Sequence, residues 1–371
     1  MNTLHTDPAP RALRLELAFE GGLTLPKAGT IVVLHPRATE SLAPLPPERV
    51  KVVTPHFPDH AAFSARGYNC ARSAEPGATA VLVCLPRARA EGLDLIAEAC
   101  ALTDGPIIID GQKTDGVDTI LKALRPRVAL SEPISKGHGK IFWFRSPGAA
   151  ALADWRAAPI AVTDDAGQIF HTSAGLFSAA GVDPGSALLA ASLPEGLAGE
   201  AVDLGAGWGY LSAALLTRAP KIKVLHLVEA DARALDCARR NVTDPRAVFH
   251  WADATLPLPG LQTDLVIMNP PFHTGRKGQP GLGIAFIRAA AALLRPSGQL
   301  WLVANRHLPY EAAMAASFRR HEEVAGTPAF KVLKGEGPVR AAAARSIPGR
   351  ERRSTGQAGS HSTSNPRGPR G

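Results

Sequence analysis

Cysteine is scarce in this chain of 371 residues: Cys70, Cys84, Cys100 and Cys237 show no C-x-x-C spacing and no dense framework. A disulfide scaffold is thereby excluded, and buried thiols in a reducing compartment are expected. Histidines are scattered, with no H-x-H pair, and no structural metal is expected. No apolar run approaches the roughly 18–20 residues that cross a bilayer. The first ten residues lack a basic region followed by an apolar one, so no signal peptide is expected and the cytoplasm is the expected location. Residues 1–165 also lack any G-x-G-x-G or G-x-G-x-x-G loop. They have no backbone cradle for a nucleotide cofactor. The net charge of +8 is uneven, because residues 335–371 hold seven arginines against two glutamates. Bulk charge is therefore a weak sign of a nucleic-acid partner.

What is present is the composition of an ordinary globular protein, 45% hydrophobic and 20% charged, with length for two domains. Short β-branched runs such as Thr30-Ile31-Val32-Val33-Leu34 and Pro106-Ile107-Ile108-Ile109-Asp110 alternate with helical spacing, as over residues 87–102. That alternation predicts an α/β fold with a mostly parallel sheet. Residues 146–167 are rich in Ala, Pro and Gly and mark a domain boundary, part of which is expected to be helical. The expected domains are 1–165, 166–334 and a disordered basic tail, 335–371, in which Gly, Pro, Ser and Arg make up 23 of 37 residues.

The second half carries the chemistry. Ala201-Val202-Asp203-Leu204 is expected as a strand running into Gly205-Ala206-Gly207-Trp208-Gly209 and then a helix. Glycines there let the backbone turn sharply and approach a ligand. Glu229, at the end of the next strand, stands 20 residues after Gly209, where a carboxylate accepts the hydroxyls of a ribose. Asp253, at the end of the strand after that, is placed to meet an adenine amino group. Asp203 directly before the loop opposes a phosphate and suits the cationic amino end of a methionine moiety, which favours S-adenosylmethionine over a dinucleotide. A fourth strand ends in Asn269-Pro270-Pro271-Phe272. The Asn269 amide and the Pro270 carbonyl would be two fixed acceptors for a planar group bearing an amino nitrogen, with the Phe272 ring as a stacking face. Pro271 and His273, and Asn305 with Arg306 at another strand end, are candidate substrate contacts.

Asp203-Leu204-Gly205-Ala206-Gly207-Trp208-Gly209 with Asn269-Pro270-Pro271-Phe272 resembles the class I S-adenosylmethionine-dependent methyltransferases that act on amino groups. The flanking residues narrow this. Phe272-His273-x-Gly275, Ala304-Asn305-Arg306-His307-Leu308-Pro309-Tyr310-Glu311, Asp110-Gly111-Gln112-Lys113-Thr114-Asp115-Gly116 and Gly175-Leu176-Phe177-Ser178 resemble the ribosomal RNA small subunit methyltransferase C family over residues 10–334. The resemblance implies two tandem Rossmann-like methyltransferase domains, the first degenerate. It further implies transfer of a methyl group to the exocyclic N2 of a guanine in 16S ribosomal RNA, with Phe177 on the cofactor side. A monomer is expected. The motif alone leaves a protein glutamine or DNA adenine N-methyltransferase open, and also an inactive RNA-binding relative.

Overall fold

The computed structural model describes residues 10–256, 258–271 and 280–339. Two seven-stranded sheets follow one another along the chain. The first is built from β1 (Ile31–Leu34), β2 (Val50–Val53), β3 (Asn69–Ala71), β4 (Ala80–Cys84), β5 (Pro106–Gln112), β6 (Ile134–Lys136) and β7 (Gly139–Arg145). A two-stranded hairpin follows, β8 (Ile160–Thr163) with β9 (Ile169–Thr172). The second sheet holds β10 (Ala198–Leu204), β11 (Lys221–Glu229), β12 (Ala247–Trp251), β13 (Thr263–Met268), β14 (Leu294–Asn305), β15 (Phe318–Gly326) and β16 (Phe330–Pro338). The orders are β3-β2-β1-β4-β5-β7-β6 and β12-β11-β10-β13-β14-β16-β15. Five strands are parallel in each, and the last two are antiparallel.

Helices α1 (Pro10–Glu20), α2 (Phe57–Ala65), α3 (Arg89–Leu102) and α4 (Val117–Leu124) belong to the first sheet. Helices α5 (Pro184–Ser192), α6 (Tyr210–Arg218), α7 (Ala232–Asn241), α8 (Pro280–Leu293) and α9 (Glu311–Ser317) belong to the second. Each sheet is covered on both faces, so central strands such as Ile31–Leu34 and Ala80–Cys84 are buried along their whole length. Asp110, fully buried at β5, holds α1 through Arg14 (Nε to Oδ2, 2.6 Å) and Arg11 (Nε to Oδ1, 2.6 Å). This buried, bidentate pairing explains Asp110 as an anchor of the first domain.

Part of the Ala-rich boundary segment is helical, as a 3-10 stretch, Ala149–Trp155, broken at Leu152. The structure corrects two expectations. The tail does not begin at 335: residues through Pro338 form the end of β16, with Gly335 paired to Leu300 and Glu336 to Gln299. Composition failed there because ladder bonds on both sides outweigh the weak strand propensity of Gly-Glu-Gly-Pro. Residues 340–371 lie outside the described residues. Finally, Asp253 stands two residues beyond the end of β12 rather than at it.

The two sheets present their carboxyl edges to one another. The Phe57 N–H donates to the Ala230 carbonyl (2.8 Å) and the Ala232 N–H to the Pro55 carbonyl (2.9 Å). Trp251 Nε1 donates to the carbonyls of both Pro55 and Ala230 at 2.8 Å, and Arg233 is paired with Glu91 at 2.7 Å. The first half thus grips the chain immediately after Glu229.

Candidate active site

Gly205, Gly207 and Gly209 all have positive φ (77°, 55° and 92°), a region that side chains avoid. Two of them are glycine for different reasons. A Cβ on Gly209 would stand 2.9 Å from Val242, so this glycine lets α6 and α7 pack closely. A Cβ on Gly207 would meet nothing within 4 Å and would project into open space beside the loop. That space is a cleft lined by Phe177, Asp183, Ser186, Gly207, Tyr210 and Asn269, among others. The Gly207 N–H is fixed by Glu229 Oε2 (2.8 Å), and Glu229 Oε1 accepts from the Asp231 N–H (2.8 Å). Burial holds the Glu229 carboxyl above the usual range despite these two bonds.

Asp203 is fully buried under the loop. Its Oδ2 accepts from Ser212 Oγ (2.7 Å), while Oδ1 has no hydrogen-bond partner among the described residues. Burial, reinforced by the charge of Glu229 and opposed by the Ser212 hydrogen bond, pushes Asp203 up to about 7. An orphaned carboxylate oxygen in such a place calls for a donor or a cation.

The amide of Asn269 is locked. Its Nδ2 donates to Asp183 Oδ2 (2.9 Å) and to Ser186 Oγ (2.8 Å). A carboxylate only accepts, so the nitrogen must face Asp183, and the amide oxygen is left as an acceptor beside the cleft. Asp183 also caps α5, its Oδ2 accepting from the Ser186 N–H at 2.7 Å. The sequence marks Asp183-Pro184-Gly185-Ser186 as a helix start, and nothing local reveals that the same two side chains hold an asparagine 83 and 86 residues away. Pro270 is buried and Pro271 exposed; Phe272 and His273 lie outside the described residues.

The other candidates separate. Phe177 is 60% exposed at the cleft, with its carbonyl held by Trp208 Nε1 (3.0 Å). Asp253 is engaged locally, its Oδ1 accepting from the Thr255 N–H (2.8 Å) and Oγ1 (2.6 Å). Asn305 ends β14, half-buried and paired with Phe330. Arg306 is committed elsewhere: it donates to the carbonyls of Thr327 (2.8 Å) and Phe330 (3.2 Å) and pairs with Glu323 (2.8 Å). These contacts tie the β15–β16 hairpin together. His56 and His60 stand one helical turn apart, but His56 Nδ1 is bonded to Asp59 (2.9 Å) and His60 packs edge-on to Trp251. Among the described residues no three His, Cys, Asp or Glu side chains group to hold a metal ion, and no helix is long and apolar enough to cross a membrane.

Residues 167–334 match the family model of the methyltransferase small domain, and it is this part of the chain that joins the strand order β12-β11-β10-β13-β14-β16-β15 to the glycine loop and the acids behind it. The residues fit S-adenosylmethionine as cofactor: a buried acid with a free oxygen, an open glycine and a carboxylate at the next strand end.

The chain is similar to ribosomal RNA small subunit methyltransferase C of Klebsiella pneumoniae, 35% identical over 164 residues, which are 44% of this chain and 48% of that protein. It is also similar to ribosomal RNA large subunit methyltransferase G of Shewanella amazonensis (29% over 63% of this chain and 62% of that protein) and of Streptomyces coelicolor (29% over 84% and 89%). The chain thus spans only about half to two-thirds of the first two relatives. Among solved structures, the T. thermophilus 16S rRNA N2 methyltransferase with AdoMet and guanosine superposes with a TM-score of 0.74 over 89% of this chain and 94% of that one, at 23% identity. That likeness establishes the fold of both halves.

Proposed function

We propose that the chain transfers a methyl group from S-adenosylmethionine to the exocyclic N2 of a guanine in small-subunit ribosomal RNA. The observation that carries this is the locked Asn269 amide, whose oxygen stands beside the same cleft as the Gly207 loop. S-adenosylmethionine supplies an activated methyl on sulfur, so the protein's task is placement. Asp203 faces the cationic amino end, Glu229 accepts from ribose hydroxyls with its remaining lone pairs, and Phe177 and Asp253 border the adenosine. Asn269 Oδ1 and the Pro270 carbonyl each accept one hydrogen of the guanine N2. This pulls the nitrogen out of conjugation and aims its lone pair at the methyl group. Phe272 stacks on a base that has left its helix, with Pro271 and His273 flanking it, and stacking of this kind is worth roughly 1–3 kcal/mol. Asn305 borders the same edge. The glycine-poor first half, divided from the second near residues 165/166, is the non-catalytic copy. The enzyme acts as a cytoplasmic monomer without a metal.

A second reading has its own support. A relative matched over 89% of its own length is a large subunit methyltransferase. Both are tested together by incubating the protein with labelled S-adenosylmethionine and separate small and large ribosomal RNAs. N2-methylguanosine in 16S RNA is the expected product. Label in 23S RNA selects the second reading, and label in protein overturns both.

A further inference from the structure

The two sheets share one strand order, and their registers place residues of one where the other has its site. Leu34 pairs with Val53 as Leu204 pairs with Val228, so Thr54 stands where the second half has Glu229. Val33 pairs with Leu82 as Asp203 pairs with Ile267. Val33 therefore takes the place of Asp203, and Cys84 that of Asn269. Neither carboxylate nor the amide of the second site has a counterpart at these three register positions. In the loops, His35-Pro36-Arg37 replaces Gly205-Ala206-Gly207, and Leu85-Pro86-Arg87 replaces Pro270-Pro271-Phe272.

The position is still the one where open α/β sheets bind ligands, at the carboxyl ends of the two strands between which the order reverses, β1 and β4. A cavity of about 800 Å³ lies there, closed on its other side by Gly175, Asp231 and Arg233. Five carboxylates line it, and each is engaged: Glu40 with Arg11, Asp59 with His56 (2.9 Å), Asp231 and Glu91 with Arg233 (both 2.7 Å), and Asp115 with the Gln112 N–H (3.0 Å). The two exposed charged residues of the lining are both arginines at the rim. Arg37 has a 63% exposed side chain and only a 3.4 Å contact with Asp59. Arg87 is exposed and has no ion pair among the described residues. The second site pairs an acid with open glycine, and the first offers guanidinium groups at the corresponding loops. The exposed, uncommitted charge at the mouth is therefore cationic. One loop joins the two: Gly175 lines this cavity, and Phe177, two residues on, lines the cofactor cleft.

We propose that this interdomain cavity binds a nucleotide flanking the target guanosine in the same RNA strand, with Arg37 and Arg87 on its phosphodiester. The inference rests on the ribosomal RNA reading of the catalytic cleft. The test is the full-length double variant Arg37→Ala/Arg87→Ala, whose side chains are exposed and whose melting temperature should match the parent. RNA affinity is measured by filter binding across salt concentrations, alongside S-adenosylmethionine affinity and kcat at saturating RNA. The expected result is RNA binding weaker by about tenfold, with a log–log salt slope smaller by about 1–2. S-adenosylmethionine affinity and kcat should be unchanged. Unaltered RNA affinity and slope overturn the proposal. So does micromolar binding of free guanosine monophosphate that both substitutions abolish while RNA affinity stays at the parent value, which would make this a free-nucleotide site. If the parent protein places no label in ribosomal RNA, the functional reading falls instead, and the product assay shows that separately.

Discussion

With the cationic amino end of the donor seated at Asp203 as proposed, cofactor binding should depend on pH. Burial first, then the charge of Glu229, pushes the Asp203 carboxyl up to about 7 against the pull of the Ser212 hydroxyl. A cation bound at Oδ1 needs the ionised form, so binding must drive off the proton. With a group at about 7, apparent affinity is weakened about 11-fold at pH 6 and only about 1.1-fold at pH 8, roughly tenfold across the interval. Calorimetry in buffers of different ionisation enthalpy should record close to one proton released per S-adenosylmethionine at pH 6 and about half at pH 7. Asp203→Asn should bind weakly and lose both the release and the pH dependence. That control separates Asp203 from Glu229, which burial also raises. The sign for folding is opposite. A carboxyl raised in the folded state stabilises the ligand-free protein fully below the unfolded value near 4, and this contribution is lost as pH rises through about 7. Its size is on the order of 4 kcal/mol. A constant dissociation constant from pH 6 to 8, without proton release, would refute the placement of the cation at Asp203.

Four further outcomes follow from particular contacts. Asn269→Ala should abolish methyl transfer while S-adenosylmethionine binds within a few fold; equal loss of both would sink the clamp. Ser186→Ala removes one of the two bonds on the Asn269 nitrogen and should lower kcat several-fold with donor affinity unchanged, whereas Asp183→Ala also removes a helix cap worth about 1 kcal/mol and should lower the melting temperature as well. Gly207→Val, with a side chain projecting into the cleft from a φ of 55°, should eliminate donor binding measured by calorimetry. Deleting residues 340–371 should leave the melting temperature unchanged, while deletion from 335 removes paired residues of β16 and should lower it by several degrees.

What the sequence makes legible is what is written within a few residues. The Gly205–Gly209 loop, Glu229 at a strand end and the Asn-Pro-Pro turn each carry their chemistry locally, and strands such as Ala80–Cys84 announce themselves by unbroken apolar runs. What it hides is long-range. Asp183 and Ser186 look like a helix start and nothing more. Arg306 sits in a polar strand-end motif that suggests substrate, yet its partners are Thr327, Glu323 and Phe330 across a hairpin. The end of β16 is illegible because its residues are strand only through neighbours on both sides. Trp251, which no sequence motif marks, closes the contact between the two halves.

That contact gives the first half a physical role even without a cofactor. Trp251 and the Phe57 N–H fix the Ala230 carbonyl, and Ala230 lies between Glu229, which holds the Gly207 N–H, and Asp231, which is paired with Arg233 and through it with Glu91. A shift at the interface therefore reaches the glycine loop through two hydrogen bonds and one peptide unit. The first half has no glycine loop of its own, and its sheet presents its carboxyl edge to the second. Its stability contribution and its effect on donor affinity should be inseparable at this seam. Trp251→Phe, which keeps the ring and loses only the Nε1–H, should weaken S-adenosylmethionine binding several-fold although no atom of Trp251 lines the cleft. Donor affinity equal to the parent's in that variant would show the seam to be mere packing.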